Sequence, residues 1–266
     1  MEIDYLKCGD CKELLKEVDD NSIDLTVTSP PYDNLRSYNG YTFDYKPIIK
    51  ELFRVTKEGG VVVWVVADAT VNGSETGTSF RQALYAIECG FRLHDTMIYE
   101  KQNYIPLTHN RYEQCFEYMF VWSKGRPKTF NPIMIDCKTA GEYMTRPHRR
   151  EFDSNQAMRG KEDTVEWITK SKKIHPNKFI YPCGVGEHTG HPAVFPEQLA
   201  TDQILSWSNE GDLILDPFMG SGTTIASAIK TDRHYIGFEI SEEYFNNTKK
   251  RIDDLRLEYF SRKRLW

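Results

Sequence analysis

The sequence predicts an α/β fold with a mostly parallel sheet, and three observations carry that expectation. Val61 to Val66 is β-branched and apolar on both faces, as in a strand covered by helices from both sides. Lys46 to Thr56 carries Ile48, Ile49, Leu52, Phe53 and Val55 at helical spacing. The same strand–helix alternation resumes at Pro196, after a long stretch in which periodicity fades.

Taken in order, Tyr5 to Cys8 reads as a short strand ending at Gly9-Asp10, and Cys11 to Lys16 as a short helix. Ile23 to Thr28 fits a buried strand, stopped by Ser29-Pro30-Pro31 because proline cannot donate to a central ladder. The helix over Lys46–Thr56 is expected to end at Gly59-Gly60. Phe80 to Cys89 reads as a helix closed by Gly90, and Phe91–Tyr99 and Cys115–Trp122 as two strands. From Lys124 to Tyr181 prolines, basic residues and polar residues dominate, with a short helix at Thr164 to Lys170. Pro196–Trp207 is then a helix, Asp212–Leu215 a strand, Thr223–Thr231 a helix, His234–Phe238 a strand and Ser241–Glu258 a long helix. The irregular middle reads as an insertion, giving an expected division into 1–123, 124–179 and 180–266.

Composition narrows the class. With 266 residues, 39% hydrophobic, 27% charged and 13% aromatic, the chain is neither fibrous nor wholesale disordered. The longest apolar run, Val61 to Ala67, is seven residues, against roughly 18 for a membrane span. Met1-Glu2-Ile3-Asp4 lacks the layout of a signal peptide. Six cysteines are too sparse for a disulfide scaffold. The expectation is a cytoplasmic protein with no membrane partner. Net charge is −5, yet Lys124 to Phe179 holds 13 Lys/Arg against 7 Asp/Glu, a local +6 over a remainder of −11. On charge alone, a nucleic-acid footprint and a solvated insertion both fit.

Two motifs carry chemistry, Thr28-Ser29-Pro30-Pro31-Tyr32 and Asp216-Pro217-Phe218-Met219-Gly220-Ser221-Gly222-Thr223-Thr224. Each ends an expected strand, so both belong on the rim where open α/β sheets bind ligands. The second is a strand, a Gly-x-Gly turn and a helix start, which lets backbone approach a ligand and offers a helix N-terminus to a negative group. No Lys-Ser/Thr follows, so it is not a P-loop, and Ile225 occupies the third glycine position of a dinucleotide fingerprint. Glu239 ends the next strand 17 residues after Gly222, where a carboxylate accepts ribose hydroxyls. A nucleoside bearing a carboxylate fits this loop; a structural tight turn is the plainer alternative. In the first motif Ser29 offers a hydroxyl acceptor, Pro30 a carbonyl without an N–H, and Tyr32 a flat apolar face. Two acceptors beside an aromatic platform suit an exocyclic amino group on a flat base; a strand-ending turn is again the alternative.

Both motifs, in this order, resemble the beta subgroup of S-adenosylmethionine-dependent DNA amino-methyltransferases, which modify cytosine N4 or adenine N6. The resemblance covers residues 1–123 and roughly 180–266. It implies a Rossmann-like class I methyltransferase fold, circularly permuted, with a doubly wound sheet and an inserted target-recognition region at 124–179. It implies catalytic roles for Ser29, Pro30, Pro31 and Tyr32. It implies S-adenosylmethionine as cofactor, held by Asp216, Pro217, Phe218, Gly220, Ser221, Gly222, Thr223, Thr224 and Glu239. Asp10 matches the position contacting adenine. His191 and Pro192, in His191-Pro192-Ala193-Val194-Phe195-Pro196, match the motif that wraps the methionine end, although Phe195 stands where the family often has lysine. The partner implied is double-stranded DNA, with Arg36, Arg146, Arg149, Arg150, Arg159, Lys172 and Lys173 as DNA-binding candidates. Relatives are often homodimers, and a cognate restriction endonuclease encoded separately is a further candidate partner; no sequence feature here selects either.

Serine at the first motif position goes mostly with cytosine in this family, so the expected reaction is methylation of cytosine N4 in a flipped-out base. Adenine N6 is the same-class alternative, and a catalytically silent DNA-binding module the different-class one. An RNA or protein methyltransferase would carry the cofactor loop first. Pro182-Cys183 resembles a cytosine-C5 nucleophile but lacks the accompanying motif. Cys8-x-x-Cys11 has redox spacing without redox flanks, and Cys183, His188 and His191 lack a fourth ligand for zinc. No metal is expected. The polar stretch from Asn72-Gly73-Ser74 to Ser79 follows a strand and falls near the rim, as a lid or a plain loop.

Overall fold

A computed structural model of the chain describes residues 2–31, 43–104, 111–147, 164–182 and 196–263. In chain order these form β1 (Tyr5–Cys8), α1 (Cys11–Leu14) with a 3-10 turn at Leu15–Glu17, β2 (Ile23–Thr28), α2 (Tyr45–Val55), β3 (Thr56–Val66), β4 (Thr70–Val71), β5 (Ser74–Glu75) and α3 (Thr78–Glu88). Next come β6 (Arg92–Lys101), β7 (Phe116–Ser123), β8 (Met134–Asp136), β9 (Tyr143–Pro147), β10 (Thr164–Ile168), β11 (Lys172–Ile174) and β12 (Lys178–Tyr181). The chain continues with α4 (Glu197–Trp207), β13 (Leu213–Asp216), α5 (Thr223–Lys230), β14 (His234–Glu239) and α6 (Glu242–Lys263).

Eight strands form one sheet in the order β1-β14-β13-β2-β3-β7-β6-β12. All neighbours are parallel except around β7, which runs antiparallel to β3 and β6. From β13 the chain proceeds outward to β14, and from β2 it proceeds the other way to β3. The order therefore reverses between β13 and β2, which marks the ligand-binding crevice of a doubly wound sheet.

Burial explains why β3 sits centrally. Val61 to Val66 are each at most 1% exposed. Val62, Trp64 and Val66 pack with Ile48, Ile49, Leu52 and Val55 of α2, Ala83 and Ala86 of α3, and Trp122 of β7. Trp64 stacks on Trp122 at 5.2 Å between ring centroids, and its indole N–H donates to Gln82 Oε1 at 2.7 Å, so the buried donor is satisfied. The other layer is built by α4 against β2, α5 against β13 and β14, and α6 against β1 and β14.

Two sequence expectations need correction. Gly59-Gly60 does not end α2. That helix stops at Val55, where the Thr56 amide N–H still donates to Leu52 O, and the chain passes straight into β3. The register jumps from Ile23↔Thr56 to Leu25↔Val61, so the two glycines lie in a bulge. A Cβ on Gly60 would stand 3.0 Å from Asp24 O and 2.8 Å from Thr56 Cγ2, a close approach that tertiary packing sets. Thr164–Lys170 is not helical. Thr164–Ile168 is a strand, paired antiparallel with Tyr143–Pro147, and ladder pairing overrides its weak local preference.

The chain divides into two compact units, residues Pro132–Pro176 and the remainder. The smaller unit is narrower than the expected 124–179, because the segment up to Asn131 and β12 belong with the sheet. The Asn131 carboxamide donates to Leu205 O at 3.1 Å and Ser208 O at 3.2 Å, and β12 extends the sheet beside β6. Within the smaller unit, β8 pairs with β11 and β9 with β10, forming an irregular two-stranded ribbon. Among the described residues no helix is long and apolar enough to cross a membrane.

Candidate active site

Four neighbouring parallel strands, β1, β14, β13 and β2, end on one rim at Cys8, Glu239, Asp216 and Thr28. β13 and β14 are in register with Asp216 opposite Gly237, and β1 and β14 with Cys8 opposite Glu239. The sheet thus gathers the two sequence motifs, which lie at opposite ends of the chain.

The glycine loop follows β13. Met219 N–H donates to Phe238 O at 2.9 Å, and Gly222 N–H to Met219 O at 2.6 Å. Gly222 caps α5 with φ +78°, a left-handed conformation that favours glycine. A Cβ there would lie 2.6 Å from Thr248 Cγ2. Two α6 side chains hold the loop from behind: Thr248 Oγ1 donates to Gly220 O at 2.6 Å, and the Arg251 guanidinium to Ser221 O at 2.6 Å. Sequence reading missed both residues. Nothing in a long polar helix marks which turn will face a loop some thirty positions upstream.

Glu239 is 9% exposed. Its Oε2 accepts the Gly220 amide at 3.0 Å and its Oε1 the Ser241 amide at 2.9 Å. Burial raises its pKa, opposed by those amide hydrogen bonds. The Ile240 amide also bonds this carboxylate, so three backbone donors aim it and one of its four lone-pair sites stays open to a hydroxyl hydrogen. Asp10 stands beside it, since Gly9 N–H donates to Glu239 O at 2.8 Å. Asp10 also caps α1, accepting from Lys12 N at 2.9 Å, with Lys12 Nζ 3.3 Å from its other oxygen.

Asp216 is turned inward. It is 4% exposed, and its Oδ1 accepts from Thr28 Oγ1 at 2.6 Å and from Phe218 N at 3.1 Å. Burial pushes its carboxyl up to about 6, opposed by the hydrogen bonds from Thr28 and Phe218 and aided by the nearby Glu239 charge. Thr224 Oγ1 donates to Val27 O at 3.2 Å. Phe218 packs edge-on against Trp64 at 6.1 Å and Phe43 at 5.7 Å. Asp216, Phe218 and Thr224 therefore tie the glycine loop to β2 and to the core, while Glu239 holds it through the Gly220 amide. Pro217 is buried, Ser221 is 7% exposed and Thr223 5%; their hydroxyls lie 3.2 Å apart.

On the other side of the crevice Ser29 and Pro31 are half-buried and Pro30 is buried. Tyr32, Arg36, Arg149, Arg150, Arg159, His191 and Pro192 lie outside the described residues, as do Cys183 and His188. Arg146 is on β9 opposite Val165, and Lys172 and Lys173 are exposed on β11. Of the redox-spaced pair, Cys8 is exposed while Cys11 is 7% exposed, with burial pushing its thiol up to about 12. That thiol is the reverse of an activated one. Among the described residues no His/Cys/Asp/Glu group could hold a metal.

A buried carboxylate at a strand end, a glycine loop over a helix start and a switch-point crevice define a Rossmann-like methyltransferase scaffold. The fold is that of solved DNA-modifying enzymes: the PvuII DNA methyltransferase, described as cytosine-N4-specific, matches with a TM-score of 0.67 at 20% identity over 98% of this chain and 94% of that one. TTHA0409 of Thermus thermophilus, described as a DNA modification methylase and solved in complex with S-adenosyl-L-methionine, matches at 0.61 and 22% identity, covering 94% and 95%. The chain belongs to the N6/N4 DNA methylase family, whose pattern it matches over residues 23–250. It is 51% identical over 246 residues to the orphan methyltransferase M.BamHII of Bacillus amyloliquefaciens, covering 89% of this chain and 91% of that one.

Proposed function

We propose that this DNA methyltransferase transfers a methyl group from S-adenosylmethionine to cytosine N4 of a base flipped out of the duplex. The observation that carries the reading is the crevice itself. The Ser29-Pro30-Pro31 turn and the glycine loop are locked edge to edge by the 2.6 Å bond between Thr28 and Asp216, so an amine at the turn faces a cofactor at the loop.

The residues fit the cofactor's chemistry. Glu239 is aimed by backbone amides and keeps acceptor capacity for a ribose hydroxyl. The α5 N-terminus suits a carboxylate, and Gly222 lets the loop pack directly against Thr248 of α6. Bound there, the cofactor supplies an electrophilic methyl. Ser29 Oγ and Pro30 O accept the two amine hydrogens, which localises the nitrogen lone pair toward that methyl. Flipping costs a few kcal/mol, which stacking on Tyr32 offsets. The unit at Pro132–Pro176 supplies Lys172 and Lys173 for phosphates, with Arg146, Arg149, Arg150 and Arg159 as base readers or phosphate contacts. A DNA substrate supports a cytoplasmic location. M.BamHII is described as an orphan, which favours a chain working without a partner endonuclease.

Serine in place of aspartate at the turn favours cytosine over adenine. The test is digestion of methylated DNA to nucleosides and mass spectrometry. N4-methylcytosine is expected. N6-methyladenine would overturn the base assignment alone, and the absence of any methylated nucleoside would overturn the activity.

A further inference from the structure

Beside the catalytic turn stands a small hairpin with no role in the reading above. β2 and β3 are parallel and in register at Thr28↔Trp64, so β3 ends at Val66 on the same rim as Ser29-Pro30-Pro31. The chain then rises into the β4–β5 hairpin. Thr70 pairs with Glu75 and Val71 with Ser74, and the turn is Asn72-Gly73 with φ +51° and +77°. Two consecutive left-handed residues form the tight turn whose twist matches the strands, and Asn-Gly is preorganised for it.

The hairpin is mounted stiffly. Asp68, 6% exposed, accepts from Ser79 N at 2.9 Å and from Thr76 Oγ1 at 3.2 Å through Oδ1, and from Ser79 Oγ through Oδ2. A buried carboxylate with three donors holds the hairpin base against the start of α3. Thr76 N–H donates to Ala69 O at 2.9 Å and closes that base. Arg111 braces one side, donating to Gly73 O and pairing with Glu75 at 3.6 Å. The outer part touches little: Val71 is 55% exposed, and a Cβ added to Gly73 would find nothing within 4 Å. Strand pairing puts Val71 and Ser74 on one face and Thr70 and Glu75 on the other, so the face away from the Arg111–Glu75 pair is small and uncharged.

We propose that this hairpin enters the DNA beside the target, with Val71 wedging into the stack that the flipped base leaves. The inference rests on the base-flipping reading above. A two-stranded ribbon is narrow enough for a groove. Aliphatic side chains inserted between base steps offset unstacking in other DNA-bending proteins. A rigid mount matters for such a role, because a floppy tip would spend the gained contact on ordering itself.

Sequencing of methylated DNA at base resolution first gives the recognition site. Wild type, Val71→Ala and Val71→Ile are then assayed on oligonucleotide duplexes carrying that site, with the target base either normally paired or opposite an abasic position. Val71→Ala is expected to lower the methylation rate on the paired duplex about tenfold, the effect of about 1.4 kcal/mol. The rate is expected to recover on the abasic duplex, where the base leaves the stack at little cost. Val71→Ile should act like wild type throughout, and cofactor affinity by calorimetry should be equal in all three. Equal rates for Val71→Ala and wild type on the paired duplex would overturn the wedge and leave the enzyme assignment standing. A defect equal on both duplexes, or one that follows cofactor affinity, would also overturn it. A wild type that methylates no DNA would overturn the function and the wedge together.

Discussion

Thr28 and Asp216 lie 188 positions apart in the chain and share one hydrogen bond, Oγ1 to Oδ1 at 2.6 Å, across the crevice where the sheet reverses its order. Both are buried, at 1% and 4% exposure. The bond joins the last residue of β2 to the last residue of β13, so each motif holds the other in place. It also leaves Asp216 with its carboxylate committed to the chain, which makes it a positioning residue for the glycine loop.

Removing the hydroxyl tests that coupling. Thr28→Val keeps the shape and leaves a buried carboxylate short of a donor, which is expected to cost about 1–3 kcal/mol of stability. Thr28→Ser should retain most of it. Denaturant titration of the three proteins, with cofactor affinity measured alongside, checks both claims. Equal stability of Thr28→Val and wild type would mean that the bond does not tie the loops.

Asp216 also gives the enzyme a pH signature. Its folded carboxyl sits at about 6 because of burial, above the ordinary carboxylate at about 4. The unfolded chain therefore releases this proton first. The contribution to stability is full below about pH 4 and is lost as pH rises through about 6, a swing of roughly 3 kcal/mol. Wild type should lose stability relative to Asp216→Asn across that window. A constant difference between the two proteins from pH 4 to 6 would contradict the assignment.

Gly222→Ala places a methyl group in a left-handed residue and 2.6 Å from Thr248 Cγ2. The strain is expected to cost about 1–3 kcal/mol and to weaken cofactor binding, because the α5 N-terminus must shift. Combining it with Thr248→Ser, which removes the clashing methyl and keeps the hydroxyl, should recover part of the stability. Thermal unfolding of single and double variants decides whether the contact or the backbone carries the cost.

Glu239→Ala removes the carboxylate proposed to accept the ribose hydroxyls and is expected to weaken cofactor binding by about 1.5–3 kcal/mol. Calorimetry with S-adenosylmethionine reads this directly. Unchanged affinity would put the ribose contact elsewhere.

Charge reversal at Lys172 and Lys173, both exposed on β11, should lower affinity for all DNA sequences. Each lost phosphate contact reduces the slope of log affinity against log salt by about 0.9. Specificity should stay intact, in contrast to loss of a base-reading arginine. Binding isotherms at several salt concentrations separate the two, and an unchanged slope would remove these lysines from the interface.

The chain's local chemistry determined most of the scaffold. Tyr5–Cys8 and Ile23–Thr28 were legible to the residue, because glycine and proline stops and apolar β-branched runs are properties of adjacent residues. The two motifs were visible for the same reason: a Gly-x-Gly turn and a Ser-Pro-Pro turn are runs of adjacent residues, and each follows a strand that the structure also has. What lay beyond the sequence depends on partners distant in the chain. Thr164–Ile168 is a strand because Tyr143–Pro147 lies beside it, and Gly59-Gly60 is a bulge because β2 is in contact with it. Thr248 and Arg251 support the glycine loop only once α6 packs behind it. Asp216 reads in the sequence as a ligand contact, and the fold adds what no motif shows, a buried bond to Thr28. A motif fixes which groups are available, whereas their direction, partners and protonation follow from dielectric and geometry that exist only when the sheet has closed.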